Sequence, residues 1–149
     1  MALLLGCLLA LSVSEPWAAE PATLVFPSGG RLAGVLLSEE RGVYVLERDG
    51  GPLEFPHGTV AEDLRAPNAE GEFRAREAAL PPKDPAALWD LARFAAENGL
   101  RGRAEKASRR VLALDPDHAG ARAFLGYERV FGEWLSGDAL RRAQGWVRH

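Results

Sequence analysis

The spacing of apolar residues changes period once along this 149-residue chain, and that change limits the fold more than any other feature. Before Ala66-Pro67-Asn68 the apolar residues alternate or form short runs, and glycine interrupts them. After it glycine becomes sparse, Ala and Arg rise, and apolar residues return every three or four positions. A period of two suits a half-buried strand, and a period of 3.6 suits a helix with one buried stripe. Strands first and helices second predict an α+β chain.

The strand region reads as five short strands. Thr23–Phe26 is followed by the turn Pro27–Gly30, and Arg31–Ser38 is a longer strand in which Gly34 marks a bend or bulge. Val43–Arg48 leads into Asp49-Gly50-Gly51, a tight-hairpin signal, and Leu53–Phe55 returns to Pro56. A fifth strand is expected near Thr59–Val60. The expected core is Phe26, Val35, Leu37, Val43, Val45, Leu53 and Phe55. So small a unit buries too little surface to stand comfortably alone, so it is expected to lean on the helices.

Glu70–Leu80 reads as a connecting helix stopped by Pro81-Pro82. Asp84-Pro85 then supplies an N-cap and a proline at the first helical position. Leu88, Leu91, Ala92 and Ala95 make one apolar stripe, and Asn98-Gly99 ends the helix. The next helix, Arg101–Leu114, turns Ala104, Ala107, Val111 and Leu114 inward. Asp115-Pro116 ends it and caps a third helix through Gly126. Ser136 caps a short helix through Ala143.

Leu91-Ala92 recurs as Leu125-Gly126 after 34 residues, the spacing of the tetratricopeptide repeat. From Pro85 onward the chain resembles that family. Leu88 stands where the family often has Trp, Leu91-Ala92 at its Leu–Gly pair, and Ala95 at an aromatic. Ala104 takes the small position, Val111 the later alanine and Pro116 the terminal proline. The second repeat departs after Gly126, because Arg129 fills an aromatic slot. The strand region resembles the small Sm-like barrels of exported bacterial proteins. The tail Gly126–Leu135 resembles an element that follows such repeats in exported proteins, and Gly145-Trp146-Val147-Arg148 echoes its start. Phe131 and Trp134 are expected to cover the open end of the helix pair.

The resemblances imply an α+β fold: a small N-terminal five-stranded β barrel, then an antiparallel helical-hairpin, tetratricopeptide-like array. The expected organisation is a signal peptide at 1–19, the barrel at 22–66, a connecting helix and linker at 67–83, and the repeat region with its aromatic capping tail at 84–149. Ala92, Ala104 and Gly126 are expected to be the small positions that let neighbouring helices approach.

Ala2–Val13 is a continuous apolar run with the length of a signal-peptide core, too short to span a bilayer. Ala18-Ala19 offers a cleavage site, so export to the periplasm or cell envelope is expected, with no stable membrane span after cleavage. No Lys or Arg precedes Arg31, so either the signal is atypical or the true start lies elsewhere; the alternative is a buried N-terminal helix. Cys7, the only cysteine, sits in a box resembling a lipoprotein site, and lipid anchoring there is the minority reading. Cleavage near Ala19 leaves no thiol for a disulfide, nucleophile or metal site.

The formal charge of −3 lacks the basic excess of a dedicated nucleic-acid binder. Between 22 and 64 only Arg31, Arg41 and Arg48 face seven acidic residues, which also opposes nucleic acid as a partner. His57, His118 and His149 show no ligand spacing, and His118 reads as an exposed turn residue. Asp115 and Asp117 lack a twelve-residue calcium loop with its closing Glu. No nucleophile elbow or phosphate-cradling loop occurs, so no catalytic residue, metal or cofactor is expected. Arg103, Lys106 and Arg110 share one face of their helix and read as solvated.

Carried over position by position, the concave face of the repeats comprises Trp89, Arg93, Glu97 and Tyr127. Trp and Tyr bury much area on binding with little loss of entropy. The expected function is a non-catalytic protein- or peptide-binding scaffold of the cell envelope, with Trp89 packing on the β unit as the competing role for that side chain. The alternative function is an accessory or inhibitory subunit of an envelope hydrolase.

Overall fold

The computed structural model describes residues 19–145; the apolar run, Cys7, and Trp146 to His149 of the tail lie outside them. Five strands form one antiparallel sheet: β1 (Glu20–Val25), β2 (Arg31–Glu40), β3 (Val43–Arg48), β4 (Gly51–Pro56) and β5 (Glu62–Arg65). Their order is β4-β3-β2-β1-β5. A 3₁₀ turn at His57–Thr59 takes the place expected for the fifth strand and pushes that strand towards Arg65. The sheet curls enough for Phe26, just past β1, to meet Phe55 of β4 edge-on, with ring centroids 5.5 Å apart. The edge strands β4 and β5 nonetheless share no ladder. The sheet is open, and the expected closed barrel is corrected on that ground.

Of the expected strand core, Val35 is buried and Phe26 and Phe55 pack against the core, but Leu37, Val43, Val45 and Leu53 are not buried. Ala22, Leu24, Leu36 and Leu46 are wholly buried on the concave face, flanked by Phe26, Leu32, Tyr44, Phe55 and Val60. Val35 is buried on the opposite face, where it lines a depression with Gly71, Ala75 and Ala78 of the first helix. The β2–β3 register slips between Leu36 and Ser38, and such a slip reverses which side chains face inward. Leu53 stays 45% exposed, so it is no core residue.

The helices are α1 (Ala69–Ala78), α2 (Pro85–Glu97), α3 (Arg101–Leu114), α4 (Ala119–Phe124) and α5 (Gly137–Ala143). Asn68 caps α1 by accepting from the Gly71 amide at 3.0 Å, and its Nδ2 donates to the carbonyls of Ala22 and Gly34. One side chain therefore starts the helix and pins it to the sheet. Asp84 accepts from the Ala86 and Ala87 amides at the start of α2. Phe73 of α1 closes a core with Leu91, Ala95, Leu100 and Ala104. As expected, α2 and α3 pack antiparallel through buried alanines, including Ala92 and Ala104. Leu114, expected inward, is 41% exposed, and Ser108 is buried instead.

The repeat ends there. α4 has only six residues, and the chain then turns into a two-stranded hairpin, β6 (Glu128–Val130) with β7 (Glu133–Leu135). A second helical hairpin is missing among the described residues, so the tetratricopeptide array is corrected to a single helix pair with a short helix and a β-hairpin appended. Gly126 is not a packing hole. Its φ of +81° terminates α4, the Tyr127 amide donates back to the Arg122 carbonyl at 2.9 Å, and open space surrounds the position of a Cβ. The glycine that permits close approach is Gly120, where a Cβ would lie 2.6 Å from the Trp89 ring.

The basic face of α3 is solvated only in part: Lys106 and Arg110 are exposed, whereas Arg103 is held against the sheet and α1. Asp49, at the tip of the β3–β4 hairpin, accepts from the Gly102 and Arg103 amides at 2.7 and 2.6 Å. A carboxylate there satisfies donors that every helix start leaves unpaired. Glu70 of α1, 3% exposed, accepts from the Asp49 amide and from Arg103 Nε at 3.1 Å. Arg110 pairs with Glu77 of α1. Sheet, α1 and α3 are thus locked together around two carboxylates.

Candidate partner-binding surface

The turn between α3 and α4 organises the surface. Its residues Pro116, Asp117 and His118 each hold a side chain from elsewhere. Arg122 Nε donates to the Pro116 carbonyl at 2.9 Å, Trp134 Nε1 donates to Asp117 Oδ1 at 3.0 Å, and the Trp89 ring lies 5.1 Å from that of His118. His118, expected as an exposed turn residue, is half-buried and caps α4 by accepting from the Ala121 amide through Nδ1. That hydrogen bond requires a lone pair on Nδ1.

Around this turn runs a stack of aromatic rings and guanidinium groups. Arg122 lies 4.7 Å from the Tyr127 ring centroid and 6.0 Å from that of Trp134. Arg129, paired across the hairpin with Trp134, lies 5.7 Å from the same ring. Flat cations over ring faces attract the π-electrons and hold both partners in place. Trp89, Tyr127 and Trp134 are all half-exposed, so each keeps an accessible edge while its orientation is fixed.

Trp89 packs on Gly120 and His118 of the α4 start, not on the β unit. Trp89 meets that turn directly through His118, and Tyr127 meets it only through Arg122, which donates to the Pro116 carbonyl. Arg93 and Glu97 follow Trp89 at four-residue steps along exposed α2, one turn and two turns further on. Arg93 makes only a long, exposed contact of 3.8 Å with Asp90, worth little. Glu97 has no partner among the described residues. Arg122 goes unmarked in the sequence although its contacts with Pro116 and Tyr127 are local, and Trp134 reaches Asp117 only because the hairpin folds back; the one available signal is the clustering of Arg with Tyr and Trp after residue 121.

Trp134 reaches Asp117 at the α3–α4 turn, but Phe131, expected to help cover the helix pair, does not. It is 99% exposed at the hairpin apex with φ +51°, a backbone region that bulky side chains avoid at a cost of about 1–2 kcal/mol. Asn tolerates this conformation. Phe131→Asn removes no buried contact, so the unfolding free energy should rise by about 1 kcal/mol in a urea melt. A lower midpoint would show that Phe131 packs on the protein after all.

No family model, curated protein or solved structure is similar to this chain. The surface is therefore judged on its own chemistry. Among the described residues no group of three His, Cys, Asp or Glu is placed to hold a metal ion, and no helix is long and apolar enough to cross a membrane. The remaining polar cluster lies at the sheet rim, where Arg65 bridges Asp63 and Glu39. Burial and then the Asp63 and Glu39 charges raise the Tyr44 phenol above its ordinary pKa. Tyr44 packs on the His57 ring at 4.2 Å.

Proposed function

We propose that this protein is an exported, non-catalytic module of the cell envelope that binds a protein or peptide across Trp89, Arg93, Glu97 and Tyr127. The observation that carries the reading is the ordered stack of Tyr127, Arg122, Trp134 and Arg129, joined through Pro116 and Asp117 to the turn whose His118 meets Trp89. Half-exposed aromatic side chains held in one orientation lose little entropy on association, which is the property of interface anchors. Phe131, displayed at a conformational cost on the neighbouring hairpin, adds apolar area to the same end of the molecule. The export element rests on the apolar run and Ala18-Ala19.

Affinity capture from envelope extracts identifies the partner, and titration of that partner measures the surface. Trp89→Ala and Tyr127→Ala are each expected to weaken binding about thirtyfold, the effect of removing an anchor worth about 2 kcal/mol. Exposed Arg93→Ala and Glu97→Ala should weaken it less, by about threefold. Trp89 supports α4, so a melt must accompany that variant; Tyr127→Ala and Arg93→Ala keep the test decisive. Unchanged affinity in both of these would remove this surface from the reading.

A further inference from the structure

A hollow of about 320 Å³ opens between the β3–β4 turn and the first turns of α3, lined by Glu47, Arg48, Asp49, Gly102, Arg103 and Lys106 and floored by Gly50 and Gly51. We propose that it binds a phosphate group. The argument starts from its carboxylates, because unpaired acids would repel an anion. Both Asp49 oxygens accept α3 amides. Both Glu70 oxygens behind the wall are engaged, one by the Asp49 amide and one by Arg103. Glu47 places one oxygen 3.1 Å from Arg74 and the other 3.7 Å from Arg103. Every acidic oxygen around the hollow has a cation or an amide as its neighbour.

Two cations remain. Arg48 and Lys106 make no ion pair among the described residues, and Arg48 Nε is buried without a hydrogen-bond acceptor. A buried guanidinium donor with no acceptor is costly in the empty protein, and an incoming oxyanion removes that cost. Gly50 and Gly51 contribute no side chains, and nothing lies within 4 Å of where a Cβ would sit on either. The turn therefore adds no side chain to the hollow between Arg48 and Lys106. Two uncompensated positive charges on separate elements match a dianion better than a monocarboxylate, and the guanidinium fork suits phosphate oxygens. This site lies on different elements from the Trp89–Tyr127 surface and stands or falls separately.

The test titrates the full chain with inorganic phosphate, phosphoserine and acetate at constant ionic strength, following amide and Arg Nε–H resonances. Saturable phosphate shifts are expected at Arg48 Nε–H and the amides of Gly50, Gly51 and Gly102. Arg48→Gln and Lys106→Gln should each weaken phosphate about tenfold, and acetate should bind about tenfold more weakly than phosphate. Tighter phosphoserine binding would assign the source to an esterified phosphate, and equal or weaker binding to the free ion. Lys106 is exposed, so Lys106→Gln decides the matter even where Arg48→Gln unfolds. Non-saturating shifts, equal phosphate affinity in Lys106→Gln and the parent, or equal affinity for acetate and phosphate would overturn the proposal.

Discussion

Glu70→Ala should lower the unfolding free energy by about 3–5 kcal/mol, the cost of removing one partner from a buried ion pair. The Arg103 side chain is only 17% exposed, and Glu70 holds its Nε at 3.1 Å. Without Glu70 that guanidinium keeps the 3.7 Å contact to Glu47 and the Phe73 ring at 5.2 Å, and the Asp49 amide loses its acceptor. Asp49 is in turn the side-chain cap of α3, so the damage spreads to the start of that helix. A domain of this size has a stability of about 5–15 kcal/mol, so the variant should sit near the edge of folding. Glu70→Gln retains an acceptor for the amide and should lose less. Paired replacement of Glu70 and Arg103 by apolar residues should recover much of the loss, because no charge is then left buried alone. A urea melt of Glu70→Ala that loses under about 1 kcal/mol would mean that Glu70 and Arg103 behave as an ordinary surface pair.

Gly34→Ala is expected to cost about 3 kcal/mol, at the upper end of overpacking penalties. The added Cβ would fall 2.5 Å from the Glu47 carbonyl oxygen and 2.7 Å from Leu46 Cγ. A side chain can rotate away from such a clash, but a paired strand cannot. Strands β2 and β3 must separate, and the Gly34 carbonyl that accepts from Asn68 moves with them. Gly58→Ala is the control, since nothing lies within 4 Å of its Cβ position; it should be close to neutral. Amide exchange should speed up first along β2 and β3 in Gly34→Ala. Equal melting of the two variants would refute the close approach at Gly34.

Local signals in the sequence reported local structure faithfully. Asp84-Pro85 opens α2, Asn98-Gly99 closes it, and Arg101–Leu114 is α3 with the expected bounds. Each depends on a cap or a dihedral preference that acts within one turn. Leu36 and Leu46 take the inward places expected of Leu37 and Val45, because Val35-Leu36-Leu37 is uniformly apolar and the β-bulge leaves no mark in such a run. The third helix was extended to Gly126 because a left-handed glycine cap and a close-packing glycine look alike in a single sequence. Only open space around Gly126, and the Trp89 ring against Gly120, separate the two roles.

The candidate surface was legible in part. Trp89 meets the turn through His118 and Arg122 meets it locally through Pro116, whereas Trp134 joins them only because β6 and β7 fold back onto Asp117. The phosphate hollow had no sequence signature, because Arg48 and Lys106 lie far apart in the chain and meet through the Asp49 cap. The sequence by itself determined that the five strands of the large sheet precede the helices, where most helices begin and end, and that Ala92 and Ala104 are buried. The tertiary structure alone decided that the sheet stays open, that one helix pair stands without a second, and which charges α3 buries. Caps and turns are settled by neighbours a few bonds away, while sheet closure and charge pairing are settled by groups that meet only after the chain has folded.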